Sequence, residues 1–131
     1  MNEYNILQYI FRFLSDLKIK DCQVTVDKLK QAGKGEKLPT TYCIASLPNG
    51  ITDYGAFISA TGLIIIGAQD KTIGLPNINE ITRISKIIEQ NIPNLNDEYQ
   101  LLNFTFSSDN YDGIGTHEFY YTIDIYYAKK E

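Results

Sequence analysis

The side chains that could do chemistry in this chain are few: one histidine, two cysteines, and carboxylates and lysines spread along its length. A zinc site draws three or four His, Cys or carboxylate ligands at short spacings, and His117 has no such neighbours in sequence. Cys22 or Cys43 with His117 would supply a thiol and a base for nucleophilic catalysis. Two cysteines and one histidine allow that pairing by chance in any chain, so it predicts no active site. Ser108, Asn110 and Asp112 fall at the first three ligand positions of a calcium loop, with Gly113 at its turn position. The closing acid is missing, because Phe119 stands there with Glu118 one residue early, and strand-like sequence follows where a helix is needed. Asp109, Asn110, Asp112, Gly113 and Gly115 are instead expected to shape a turn. Gly33-Lys34-Gly35-Glu36 fails the spacing of a phosphate-binding loop. Asp53, Asp70, Asp109, Asp112 and Asp124 lie in separate segments, so no acid–base pair is identifiable. These patterns predict no catalytic residue, no cofactor and no metal ligand.

The background in which these groups sit is ordinary. The chain has 131 residues, 44% of them hydrophobic and 21% charged, which suits one globular domain over 1–131. Twelve Lys and Arg against sixteen Asp and Glu leave a net charge of −4, so no global positive field exists to collect nucleic acid. Met1-Asn2-Glu3-Tyr4-Asn5 lacks a basic stretch, and Gln8, Arg12 and Asp16 interrupt the apolar positions that follow, so no secretory signal is expected. The longest apolar run, residues 62–68, is far short of the roughly 20 residues that cross a bilayer. Cys22 and Cys43 are accordingly expected as reduced, small core residues.

The elements that must position these groups can be read from periodicity. Leu7, Ile10, Leu14 and Leu17 recur at three- and four-residue steps and predict a helix over 3–18. Cys22, Val24 and Val26 alternate as on one side of a strand. Lys28 to Pro39 reads as a basic loop, Thr40 to Leu47 as a strand, and Pro48-Asn49-Gly50 as a turn. Residues 56–69 are apolar on both faces, as in a central strand or a bent pair broken at Gly62. Ile78, Ile81, Ile84, Ile88 and Ile92 predict a second helix over 77–91, capped by Asn77 or Asn79 and stopped by Pro93. Leu101 to Phe106 and His117 to Ala128 predict a closing hairpin, joined by the polar run 107–116. The fold class is therefore α+β: a mostly antiparallel mixed sheet with two amphipathic helices packed on one face.

Two surfaces stand out as partner contacts. Lys28, Lys30, Lys34 and Lys37 surround Gly33 and Gly35, giving either a solvated loop or one that meets a polyanion or a partner protein. In the last strand Phe119, Tyr121, Ile123, Ile125 and Tyr127 share the expected core face. Glu118, Tyr120, Thr122, Asp124 and Tyr126 share the other. Tyr120 and Tyr126 there suit a protein interface, or rings packed across neighbouring strands.

This arrangement resembles the tail terminator and tail-completion proteins of long-tailed bacteriophages and related contractile particles. Gly62-Leu63-Ile64-Ile65-Ile66-Gly67-Ala68-Gln69-Asp70 followed by Asn77 to Ile92 looks like their strand, loop and helix unit. The run from Gly115 to Tyr127 resembles their closing aromatic strand. The likeness spans most of the chain but includes no short diagnostic motif, so it transfers no functional residue. Gln69-Asp70 stands where such proteins have Arg, and the second helix is rich in Ile where they often show Ala. The resemblance implies a non-enzymatic virion protein that forms a ring, expected to be a hexamer, at the end of a tail tube. Its implied partners are further copies of itself, the tail tube protein and a head or neck connector, with passing contact to DNA in the bore. Its implied location is the virion tail, assembled in bacterial cytoplasm. The contrasting expectation, from charge and size alone, is a small acidic binding module of immunity or antitoxin type, acting as monomer or dimer.

Overall fold

A computed structural model of the protein describes residues 3–26 and 40–128. The first helix, α1 (Glu3–Asp16), buries Ile6, Leu7, Ile10, Phe13 and Leu14 and leaves Arg12 and Asp16 in solvent. It ends two residues before the expected 18. Lys18 takes φ 49°, a left-handed conformation that cannot continue a helix, and its N–H closes back on the Ser15 carbonyl at 3.1 Å.

The strands are β1 (Gln23–Val26), β2 (Thr41–Ser46), β3 (Thr52–Asp53), β4 (Phe57–Gln69), β5 (Asn94–Leu95), β6 (Gln100–Tyr111) and β7 (Thr116–Ala128). The second helix, α2 (Ile78–Gln90), connects β4 to β5. The sheet runs β1-β2-β4-β7-β6-β5, with β3 beside the start of β4. β1 and β2 are parallel, and the other pairs are antiparallel. The fold is α+β, with a curled, mostly antiparallel mixed sheet and both helices on one face.

Period-two alternation explains which face the helices cover. Ile58, Ala60, Ile64, Ile66 and Ala68 of β4 turn inward with Cys43 and Ala45 of β2 and Ile123 and Ile125 of β7. α1 adds Ile6, Ile10 and Leu14 to this core, and α2 adds Ile81, Ile84 and Ile88. Each isoleucine withdrawn from water in this way contributes roughly 1.5–3 kcal/mol. Phe119, Tyr121 and Tyr127 pack against the same core, so the expected inner face of the last strand holds.

Of the two expectations for residues 56–69 the central strand holds: β4 is unbroken at Gly62, with β7 pairing through that residue and β2 up to Leu63 beside it. The glycine serves a close approach instead, since a Cβ there would lie 2.6 Å from Cδ1 of Ile10. β6 continues to Tyr111, so most of the polar run expected as a linker is strand, and only residues 112–115 turn. Ser108 faces Tyr120 and Asn110 faces Glu118, and two register irregularities absorb the mismatch in length. Finally, β3 and β5 are two-residue strands with no signal of their own.

Candidate functional site

Hydrogen bonds brace the end of the sheet where β4 runs out and β7 begins. Gln69 pairs with Thr116, and the next residue, Asp70, donates its N–H to the Gly115 carbonyl at 2.7 Å. The Asp70 carboxylate is fully buried and accepts two hydrogen bonds. His117 Nδ1 lies 2.7 Å from Oδ1, and the Gly74 N–H reaches Oδ2 at 2.9 Å. Tyr111 of the neighbouring strand stacks on the His117 ring at 4.3 Å between centroids. Across the turn, Asp112 Oδ1 accepts from the backbone N–H groups of Ile114, Gly115 and Thr116 at 2.8, 3.0 and 3.0 Å. These bonds hold the Asp112 carboxyl below its ordinary value, Thr116 contributing most.

These two carboxylates hold in place the loops that display large aliphatic side chains. Ile73 is 76% exposed, Leu75 64% and Ile114 81%, and Ile78 at the start of α2 is also exposed. The turns that carry them are pinned through Asp70 and Asp112. Isolated exposed apolar residues are normal. Three of them stand on two loops that are joined by the bond from the Asp70 N–H to the Gly115 carbonyl.

The sheet face away from the helices forms a second polar and aromatic cluster. Tyr42 OH donates to Glu118 Oε2 at 2.7 Å and Tyr120 OH to Oε1 at 3.3 Å, so one carboxylate joins β2 and β7 across β4. The Tyr42 ring fills the space over Gly67, where any side chain would collide with it. Burial first, and the Glu118 carboxylate second, raise the Tyr42 hydroxyl pKa well above its ordinary range. Tyr120 is raised for the same two causes. Tyr126 shares this face but lies about 20 Å from Tyr120 along the strand. There it borders Phe57, with ring centroids 6.4 Å apart, and a cleft of ≈ 270 Å³ that also takes in Tyr99.

The structure thus separates the sequence-predicted contact residues. Tyr120 sits in the Glu118 cluster and Tyr126 at the far end of the sheet; both are partly covered by neighbouring side chains. Lys28, Lys30, Lys34 and Lys37 lie outside the described residues. No protein-family model and no curated protein matches the chain. His117 Nδ1 is engaged by Asp70, and the sulfur atoms of Cys22 and Cys43 face each other at 3.5 Å. Among the described residues, no group of three or more His, Cys, Asp or Glu side chains is placed to hold a metal ion. Sequence reading missed the Asp70–His117 pair, whose members are 47 residues apart. The only available signal was indirect: a lone histidine at the start of an apolar strand face must find a polar partner once it is buried.

Proposed function

We propose that this protein is a structural assembly subunit of the kind found at the end of phage tails. In this reading it closes into a hexameric ring on the tail tube and offers a docking surface to the head or neck, with no active site. The observation that carries the reading is the braced end of the sheet, where Asp70, His117 and Asp112 lock two loops that hold Ile73, Leu75 and Ile114 in solvent. Fixing apolar groups in water has no benefit for a free monomer and favours a partner that covers them. A ring also needs two different surfaces that meet head to tail. Along the outer side of β6, β5 pairs only with Gln100 and Leu101, so among the described residues no strand pairs with the rest of that edge. β1 forms the opposite edge of the sheet. These edges suit subunit-to-subunit contact, and the apolar loop end suits the axial contact with tube or neck.

Native mass spectrometry over a wide concentration range tests the ring, with a hexamer as the expected species. A chain that stays monomeric, or stops at a two-fold dimer, with and without tail tube protein overturns it. The docking role is tested by the double substitution I73D/I114D, which is expected to leave the ring intact and abolish joining of tube to head.

A further inference from the structure

We propose that Cys22 and Cys43 form a peroxide-sensitive thiol pair, in which Cys22 is the attacking thiol and Cys43 the resolving one. Cys22 stands immediately before β1, and Cys43 faces inward from β2 next to it. The parallel register sets Val24 beside Cys43, so the two cysteines are diagonal neighbours on the same side of the sheet. Their sulfur atoms are 3.5 Å apart, in hydrogen-bond contact. A disulfide needs an S–S separation of about 2.05 Å, so the sulfurs must close by roughly 1.5 Å, a shift within reach of side-chain rotation beside an edge strand.

The two thiols are not equivalent. Cys22 is half-buried, whereas Cys43 is fully buried. Contact with the Cys43 sulfur lowers the pKa of Cys22 against the opposing effect of burial; of the nearby charges, the Arg83 guanidinium, fixed by two hydrogen bonds to Glu80, lowers it further and the Glu80 carboxylate raises it. The same sulfur contact and burial raise Cys43, which keeps its proton. A half-buried thiol whose pKa is lowered, in contact with a buried partner thiol whose pKa is raised, is an arrangement suited to reaction with hydroperoxides.

The chemistry balances with a hydroperoxide as oxidant. The Cys22 thiolate attacks the terminal peroxide oxygen and breaks the O–O bond. Cys22 is oxidised to a sulfenic acid, and the released alkoxide or hydroxide takes up the proton that Cys22 had shed, leaving as alcohol or water. The Cys43 thiol then attacks the sulfenic sulfur. Its proton leaves with the hydroxyl as water, and the S–S bond forms. The product ties β1 covalently to β2 and closes the chain between residues 22 and 43.

The test treats the purified full chain with hydrogen peroxide, alkylates remaining thiols and reads intact mass and peptide map. The expected result is a monomeric chain lighter by two hydrogens, with neither thiol alkylated and the Cys22 and Cys43 peptides joined until reduction. Its unfolding temperature should rise by roughly 3–10 °C, because closing a loop of this length restricts the unfolded chain. C43S should accumulate a sulfenic acid on Cys22, trapped by dimedone, and C22S should leave Cys43 as an intact thiol. Free thiols after treatment, oxygen added to Cys22 of the native chain without a crosslink, or a bond between two chains would each overturn the proposal. Unchanged oxidation of Cys43 in C22S would overturn the assignment of Cys22 as the attacking thiol. The peptide map of the native chain decides the matter even where a variant fails to fold. None of these readouts depends on ring formation.

Discussion

The two ends of the β4–β7 pair are held by different physics. At the Asp70 and Thr116 end, polar groups do the holding: a buried carboxylate–histidine contact and a second carboxylate that gathers three backbone N–H groups. At the Phe57 and Ala128 end the holding is aromatic. Tyr54 stacks on Phe57 at 4.9 Å, Phe57 approaches Tyr126, and Tyr9 lies between Tyr99 at 4.7 Å and Tyr127 at 6.1 Å. Aromatic rings satisfy one another and fold back on the body of the protein. The polar brace does the reverse, because it fixes backbone while, among the described residues, Ile73, Leu75 and Ile114 stay largely exposed. An exposed ring in a stack is thus accounted for within the monomer, while a pinned and exposed aliphatic side chain points to a partner.

The contrast predicts unequal responses to mutation. Asp70→Ala removes the partner of a buried histidine and of the Gly74 N–H together, and should cost about 3–5 kcal/mol in chemical denaturation. Asp70→Asn keeps one acceptor oxygen, enough for only one of the His117 and Gly74 contacts, and should cost about half as much. At the aromatic end Phe57→Ala loses two ring contacts at a partly exposed position, for about 1–1.5 kcal/mol. A larger loss from Phe57→Ala than from Asp70→Ala would refute the idea that the polar end is the more constrained one.

Smaller effects sharpen the same contrast. Ile73→Ser and Ile114→Ser should each change monomer stability by no more than about 0.5 kcal/mol, since neither side chain is packed. A clear loss of stability in either variant would mean that these side chains serve the fold and would remove the argument for a docking surface. The smallest response is to acid. The folded-state pKa of Asp112 lies below the ordinary aspartate value of 3.8 because its ionised form accepts the backbone bonds from Thr116 and Ile114. Its contribution is therefore complete above that ordinary value and is lost as pH falls through the lower, folded one. NMR should show the Ile114, Gly115 and Thr116 amide resonances moving together in that acid window and staying fixed above it. In Asp112→Asn the titration should vanish.

The helices and the two longest strands were legible because their signal is local. Leu7, Ile10 and Leu14, and then Ile81, Ile84 and Ile88, mark buried stripes at helical spacing, and Ile123 and Ile125 alternate with polar neighbours in β7. Asn77 also caps α2 as its position predicts, accepting the Glu80 N–H at 3.4 Å. Ser107 to Asn110 carry no such pattern, and they form strand only because β7 lies alongside to pair with them. The role of Gly67 was hidden for a related reason, since nothing near it in sequence announces the Tyr42 ring that fills its place.

What the sequence by itself determined is the class of the fold and the inward face of its main elements, because the hydrophobic effect acts on each segment's periodicity wherever the segment ends up. The tertiary structure alone decided which polar groups meet. Asp70 reaches His117, Tyr42 reaches Glu118 across 76 residues, and Cys22 comes to rest against Cys43. Hydrogen bonds and thiol contacts operate over a few ångströms and need defined directions. They exist only after strand order and register have brought distant segments side by side, and no spacing along the chain records them.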